Sequence, residues 1–295
     1  MATPAEWVAG ARPRTLPAAL APVLAGTAVA VHVDAAVPWK AALALVVALA
    51  LQVGVNYAND YSDGVRGTDA DRVGPMRLVG SGRAAPAAVK RAAFLAFGVA
   101  AAAGLVLAAT TAWWLVAVGA VSIVAAWYYT GGSKPYGYLG LGEVMVFVFF
   151  GLVAVVGTTF VQTGDADGLL AAVVAATAIG ALACAILVAN NLRDVPTDRE
   201  VGKRTLAVVL GDARTRTFFA ALVELPAPAL ALLALLTTPW VLLGLVYLVP
   251  GAKALKVVQG GASGPALVPV LGATGAAELL LGAGVLAGVL VDRVL

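Results

Sequence analysis

The sequence contains one cysteine, Cys184, and one histidine, His32, among its 295 residues. A single thiol excludes a disulfide framework, and a lone imidazole excludes a zinc or haem site built on histidines. Charge is scarce too: Asp, Glu, Lys and Arg make up 12% of the chain, about half of what a soluble domain carries. Hydrophobic residues reach 61% and the mean hydropathy is +0.95, which excludes a water-soluble globule, a disordered chain and a collagen-like rod. What is left is an integral membrane protein whose chemistry must come from carboxylates, amides, guanidinium groups and amines. The 19 basic residues outnumber the 16 acidic ones, giving a net charge of +3. In a polytopic chain such an excess reports topology, so no nucleic-acid partner is expected.

An apolar stretch needs about 20 residues to cross ~30 Å of hydrocarbon. Nine stretches qualify: 15–33, 40–58, 87–108, 112–130, 142–162, 168–189, 215–236, 239–257 and 266–291. The longest polar stretches, 59–86 and 190–214, are too short for a soluble domain. The fold class is therefore all-α, a bundle of nine transmembrane helices forming a single membrane domain over residues 1–295. With the N-terminus in the cytoplasm, 17 of the 19 basic residues fall inside and only Lys40 and Arg293 outside, the bias that the positive-inside rule demands. Arg12 and Arg14 before an apolar run also fit a secretory signal. That run is long for a signal, however, and its loss would leave an even number of spans and spoil the charge sort.

The acids concentrate in two stretches that this topology puts on the cytoplasmic side. NYANDYSDGVRGTDADR runs from Asn56 to Arg72, and NNLRDVPTDREVGKRT from Asn190 to Thr205. Positions three, four and seven apart share a helix face. Asn56, Asn59 or Asp60, and Asp63 meet that condition if the second helix continues past Asp60. Asn190 or Asn191, Asp194 and Asp198 meet it at the end of the sixth, where Pro196 is a potential break. Four spans separate the two acidic ends, so both emerge on one side. The pattern resembles an internal duplication of a four-helix unit followed by a ninth helix.

Two carboxylate clusters across a cavity repel unless something positive lies between them. Oxygen ligands without His or Cys select a hard cation, and one that keeps water and bridges phosphate oxygens is typically Mg²⁺. Diphosphate is the natural third party, with Arg66, Arg72, Arg77, Lys134, Lys203 and Arg204 available to neutralise it. A reading of these groups as loop charges that keep the juxtamembrane segments wet competes for each acid singly, and less well for two matched clusters. A secondary transporter also fits a polytopic bundle with internal repetition, but it would concentrate its polar residues near the bilayer midplane.

These residues resemble the UbiA superfamily of membrane prenyltransferases, and within it the naphthoate-prenylating branch. The narrower likeness rests on RPRTLPAALAPVLAGT at 12–27, NYANDYSDGVRGTDADRVGPMRLVGSG at 56–82 and NNLRDVPTDREVGKRTLAV at 190–208. In the superfamily pattern NDxxDxxxD, Asn59, Asp60 and Asp63 match, Gly67 replaces the last Asp, and Asp69 is the next acid. DxxxD is matched by Asp194 and Asp198. The resemblance implies transfer of a polyprenyl chain from its diphosphate to 1,4-dihydroxy-2-naphthoate with loss of CO₂, giving demethylmenaquinone, in a bacterial plasma membrane and with the site opening to the cytoplasm. 4-Hydroxybenzoate or homogentisate is the alternative acceptor within the superfamily.

On that basis Asp60, Asp63, Asp194 and Asp198 are expected to hold Mg²⁺ and, with Lys203, to carry catalysis. Asn56, Asn59, Asp69, Arg72, Arg77, Tyr128, Tyr129, Lys134, Asn190 and Asn191 are the expected substrate contacts. Aromatics near the same boundary, including Tyr57, Tyr61, Trp127 and Tyr136, are candidates to shield an allylic cation, or form an interfacial belt. Arg12 and Arg14 are candidates to meet the acceptor carboxylate, or serve as topology signals. Glu224 and Glu278 fall inside predicted spans, where an ionisable group costs about 2.5–3.5 kcal/mol and should face protein or water.

Overall fold

The computed structural model describes residues 2–67 and 76–295, and every described element is helical. α1 spans Pro4–Gly10, a turn of 3₁₀ helix covers Pro13–Thr15, and α2 runs Pro17–His32. The long helices that follow are α3, Pro38–Arg66; α4, Pro86–Thr110; α5, Leu115–Tyr128; α6, Gly142–Thr163; and α7, Leu169–Glu200. After a short helix at Leu206–Leu210 come α8, Asp212–Leu236; α9, Pro239–Gln259; and α10, Gly264–Val294.

Each of the nine apolar stretches is largely helical, and among the described residues seven helices are long and apolar enough to cross a membrane. α2 has 16 residues and reaches that length only with the segment before it, from which it is bent by 49°. α5 has 14 residues, a rise of ~21 Å against ~30 Å of hydrocarbon. The side chains pointing out of the bundle are apolar, such as Leu95 at 72% and Leu235 at 85% exposure. Water would penalise such a surface and lipid does not.

α7 is the hub. Of its most apolar window 78% is buried, against 28–56% in the other candidate spans, because it is walled by the other helices. Close approach there requires glycine. A Cβ on Gly151 of α6 would sit 2.9 Å from both the Cα of Gly180 and the carbonyl oxygen of Ala176 on α7. Small residues at such crossings let packing and dispersion replace the hydrophobic drive that lipid removes. At this contact α6 is underwound into a π-helical stretch, Phe147–Val153. Such stretches re-aim side chains and recur at functional sites; here Phe149 and Phe150 point into internal cavities.

Two helices run well beyond the apolar stretch that defines them, and this positions the site. α3 continues through the polar residues to Arg66 and stops at Gly67, whose φ of +74° suits only a residue without a Cβ. α7 continues to Glu200 through Pro196 without a break.

Candidate active site

On α3, Asn59 and Asp63 lie one turn apart on one face and line a cavity of about 910 Å³. Asp60 is rotated away from that face. Its two carboxylate oxygens accept hydrogen bonds from the backbone amides of Leu78 and Val79 at 2.7 and 3.0 Å. The carboxylate expected to bind metal is thus the anchor of the segment that follows residue 75. Asn56 is also occupied: its Nδ2 donates to the carbonyl of Ala11 at 2.9 Å and to Thr15 Oγ1 at 3.0 Å.

Asp63 is the meeting point of the polar end. The Tyr138 hydroxyl donates to it, the Arg77 guanidinium lies 3.8 Å away and the Lys203 ammonium 3.9 Å away. Lys203 also sits over the Tyr138 ring, 4.6 Å from its centroid. The loop carrying Tyr138 is fixed from both sides: Thr130 Oγ1 donates to Asn59 Oδ1 at 2.8 Å, Arg66 donates to the carbonyls of Thr130 and Gly132, and the Arg204 amide donates to the Tyr138 carbonyl at 3.0 Å. Within this loop the Tyr136 hydroxyl donates to the Ala125 carbonyl at 2.8 Å, and burial pushes its phenol up to about 12.

From α7, Asn190, Asn191, Asp194 and Asp198 line the same cavity. The Arg193 guanidinium grips Asp194 through two oxygens at 2.6 and 2.7 Å and Asn190 Oδ1 at 2.8 Å. Asn191 Nδ2 donates to Glu143 Oε1 at 2.9 Å, which leaves its own Oδ1 for the cavity. The polar cavity adjoins an apolar chamber of about 330 Å³, and Tyr129, Asn59, Gln52 and Phe150 line both. The chamber lies among α2, α3, α5 and α6, walled by residues such as Val23, Leu51, Leu115 and Phe149.

Not every expected contact gathers here. Tyr128 is exposed and Lys134 is exposed on the loop, and neither lines either cavity. Tyr61 and Trp127 stack on each other with Lys90 above them, away from both cavities. Asp69 and Arg72 lie outside the described residues. Glu278 is fully buried and neither of its oxygens has a hydrogen-bond partner among the described residues. Glu224 is exposed at the end of the first half of α8. Tyr138, Glu143 and Arg193 escaped the sequence reading. Glu143, a carboxylate at the mouth of an apolar span, and Arg193, inside the second acidic motif, both carried a signal.

Among the described residues no three acidic or histidine side chains converge to cage a metal by themselves. The donors at hand are nonetheless all hard oxygens: the carboxylates of Asp63, Asp194 and Asp198 with the amide oxygens of Asn59 and Asn191, from two helix ends on one cavity. That set fits an ion such as Mg²⁺, which takes one or two carboxylates and completes its shell with water and phosphate oxygens.

Comparison with known proteins agrees with this architecture. A UbiA homolog from Archaeoglobus fulgidus solved with GPP and Mg²⁺ shares the fold at a TM-score of 0.64 and 14% identity, over 96% of this chain and 99% of that one. The apo UbiA homolog from Aeropyrum pernix gives 0.68 at 14% identity, over 94% and 98%. The 1,4-dihydroxy-2-naphthoate octaprenyltransferase of Mycobacterium tuberculosis is 57% identical over 95% of both chains. The Escherichia coli protein of the same name is 42% identical over 73% of this chain and 72% of its own. The model of the UbiA prenyltransferase family matches residues 19–266, and the chain therefore belongs to that family.

Proposed function

We propose that the protein transfers a polyprenyl chain from polyprenyl diphosphate to 1,4-dihydroxy-2-naphthoate, with loss of the ring carboxylate as CO₂, in the bacterial plasma membrane. The observation that carries this reading is the junction of a polar cavity, ringed by acids and bases from two helix ends, with an apolar chamber among the helices. One substrate with an anionic head and a hydrocarbon tail fits such a pair, and the close relatives are named for this reaction.

The diphosphate occupies the polar end. Arg77 and Lys203, both already drawn to Asp63, turn to its oxygens as charge-assisted donors. Carboxylates drawn from Asp63, Asp194 and Asp198, with the Asn59 amide oxygen, would hold Mg²⁺, which would supply Lewis-acid neutralisation of the leaving group. As the allylic C–O bond breaks, its electron pair leaves with the diphosphate, and the allylic carbon is left electron-poor beside the ring of Tyr129 at the junction. The ring's π face stabilises that carbon, and the apolar chamber withholds the water that would quench it. The electron-rich naphthalene ring attacks, a C–C bond forms, and departure of CO₂ returns an electron pair to the ring. Diphosphate, CO₂ and the prenylated hydroquinone balance the reaction, with no covalent enzyme intermediate.

In this reading the chain crosses the bilayer nine times, α2 and α5 included, with the N-terminus and the mouth of the polar cavity on the cytoplasmic side. The distribution of basic residues supports that orientation. The test is to incubate the purified protein with Mg²⁺, one polyprenyl diphosphate and a panel of aromatic acids, and to weigh the products. The decarboxylated prenyl naphthalene adduct is the expected product. Prenylation of 4-hydroxybenzoate or homogentisate instead would replace the acceptor, and accumulation of a solute in proteoliposomes without product would replace the enzyme class.

A further inference from the structure

Arg12 and Arg14 line the polar cavity on a wall built from other elements than the two acidic helix ends: the 3₁₀ turn and the start of α10. Arg12 adopts φ 54° and ψ 69°, a left-handed conformation rarely found outside glycine and, where it occurs, commonly tied to function. A buried polar network holds it there. The Thr15 hydroxyl donates to the Arg12 carbonyl at 2.9 Å and accepts from Gln52 Nε2 at 2.7 Å and from Asn56 Nδ2 at 3.0 Å. Thr15 thereby uses its one donor and both lone pairs. Asn56 adds a second bond, to the Ala11 carbonyl.

The turn so fixed carries Arg14, which is exposed at the cavity and makes no ion pair or side-chain hydrogen bond among the described residues. The same cavity that Arg14 and the acids of α7 line also has an apolar lining, with Ala183, Ile186, Val268 and Leu271. A flat bicyclic ring with one carboxylate matches a cavity that offers both kinds of surface, and a guanidinium fork matches a carboxylate oxygen for nitrogen. The diphosphate has its own cations in Arg77 and Lys203.

We infer that residues 11–15 form the carboxylate-recognition element for the aromatic acceptor, with Arg14 as the contact and Gln52, Asn56 and Thr15 as positioning residues. This rests on the prenyl-transfer reading. The experiment compares wild type, Arg14→Ala and Arg14→Lys, in full-length protein, on three quantities. These are KM for 1,4-dihydroxy-2-naphthoate, KM for the prenyl diphosphate, and equilibrium binding of the naphthoate against 1,4-dihydroxynaphthalene, which lacks the carboxylate.

Arg14→Ala should weaken naphthoate binding and raise its KM by about 10-fold or more, the size of one charge-assisted contact. KM for the diphosphate and binding of the carboxylate-free ring should stay within about 2-fold, and Arg14→Lys should recover part of the loss. Equal loss for both ring compounds, a loss confined to the diphosphate, or no change would each overturn the inference. Should wild type prenylate a different aromatic acid, the same comparison is made with that acid and its decarboxylated analogue. A wild type that prenylates no aromatic acid would remove the reading and the inference together, before any variant is measured.

Discussion

Asp63 turns its carboxylate to the cavity, whereas Asp60, one turn earlier on α3, has both oxygens closed off by the backbone amides of Leu78 and Val79. The two acids should therefore fail differently. Asp63→Asn keeps size and burial but removes the charge that orders Arg77, Lys203 and the metal, and should lower kcat by about 10²–10³-fold, as loss of one electrostatic partner does elsewhere, with little change in Tm. Asp60→Ala leaves the buried Leu78 amide without an acceptor, at about 1–3 kcal/mol, and the half-buried Val79 amide as well, and should lower Tm first. Thermal unfolding in detergent beside prenyl-transfer rates separates the two. A stable but inactive Asp60→Ala would return Asp60 to the metal.

Asp63, Asp194 and Asp198 reach one cavity from two separate helix ends, and Mg²⁺ takes one or two carboxylates and completes its shell with phosphate oxygens, so metal and diphosphate should each need the other. Chelation with EDTA should stop turnover. Titration calorimetry should show weak Mg²⁺ binding to the protein alone, and binding about 10-fold or more tighter in the presence of inorganic pyrophosphate. Pyrophosphate must then bind tighter with Mg²⁺ by the same factor, because coupling is reciprocal. Tight Mg²⁺ binding without pyrophosphate would refute a substrate-completed site.

Lys203 reaches Asp63 at 3.9 Å across the ring of Tyr138, and its backbone amide is fixed by the Asp198 carbonyl at 2.8 Å. Replacing it with methionine keeps the apolar stem and removes the charge. KM for the diphosphate should rise about 10-fold, as expected for one charge-assisted contact, while acceptor KM holds. Steady-state kinetics with each substrate varied in turn would show it, and an effect on the acceptor alone would contradict the assignment.

The helices and the two acidic ends are legible in the sequence because charge is so rare that its location carries information. Which acid faces inward is not. Asn59, Asp60 and Asp63 all satisfy helical spacing from Asn56, and the choice is made by the segment at Leu78 and Val79, which arrives from outside α3. Tyr138 reaches Asp63 from a loop whose path no periodicity describes. Lys134 and Tyr128 sit near the site in sequence but on exposed positions of that loop and its approach. The polar role of Asn56 is legible, but its partner is not, because the Arg12 turn lies 40-odd residues away along the chain.

The N-terminal helix provides a pH signature. The Glu6 carboxylate accepts from the Thr3 amide at 2.7 Å and the Thr3 hydroxyl at 3.1 Å, and pairs with Arg83 at 2.6 Å. The Thr3 backbone bond, with the Thr3 hydroxyl and Arg83, holds this carboxyl below the usual glutamate range. A depressed folded value means that the carboxylate's contribution is fully present above the ordinary value of about 4.3 and is lost as pH falls through the folded one. α1 should thus stay docked between about pH 6 and 8 and loosen below about pH 4. The reporter is Trp7, packed edge-on against Tyr57 at 5.6 Å and tied to it through the Tyr57 hydroxyl at 2.8 Å; a Trp7→Phe variant supplies the blank for its emission. Glu6→Gln should abolish the acid step. Because Ala5, Val8 and Ala9 of α1 wall the polar cavity, that variant should also raise acceptor KM at neutral pH by a few-fold while leaving kcat near wild type. An acid transition of unchanged position in Glu6→Gln would assign it to another group.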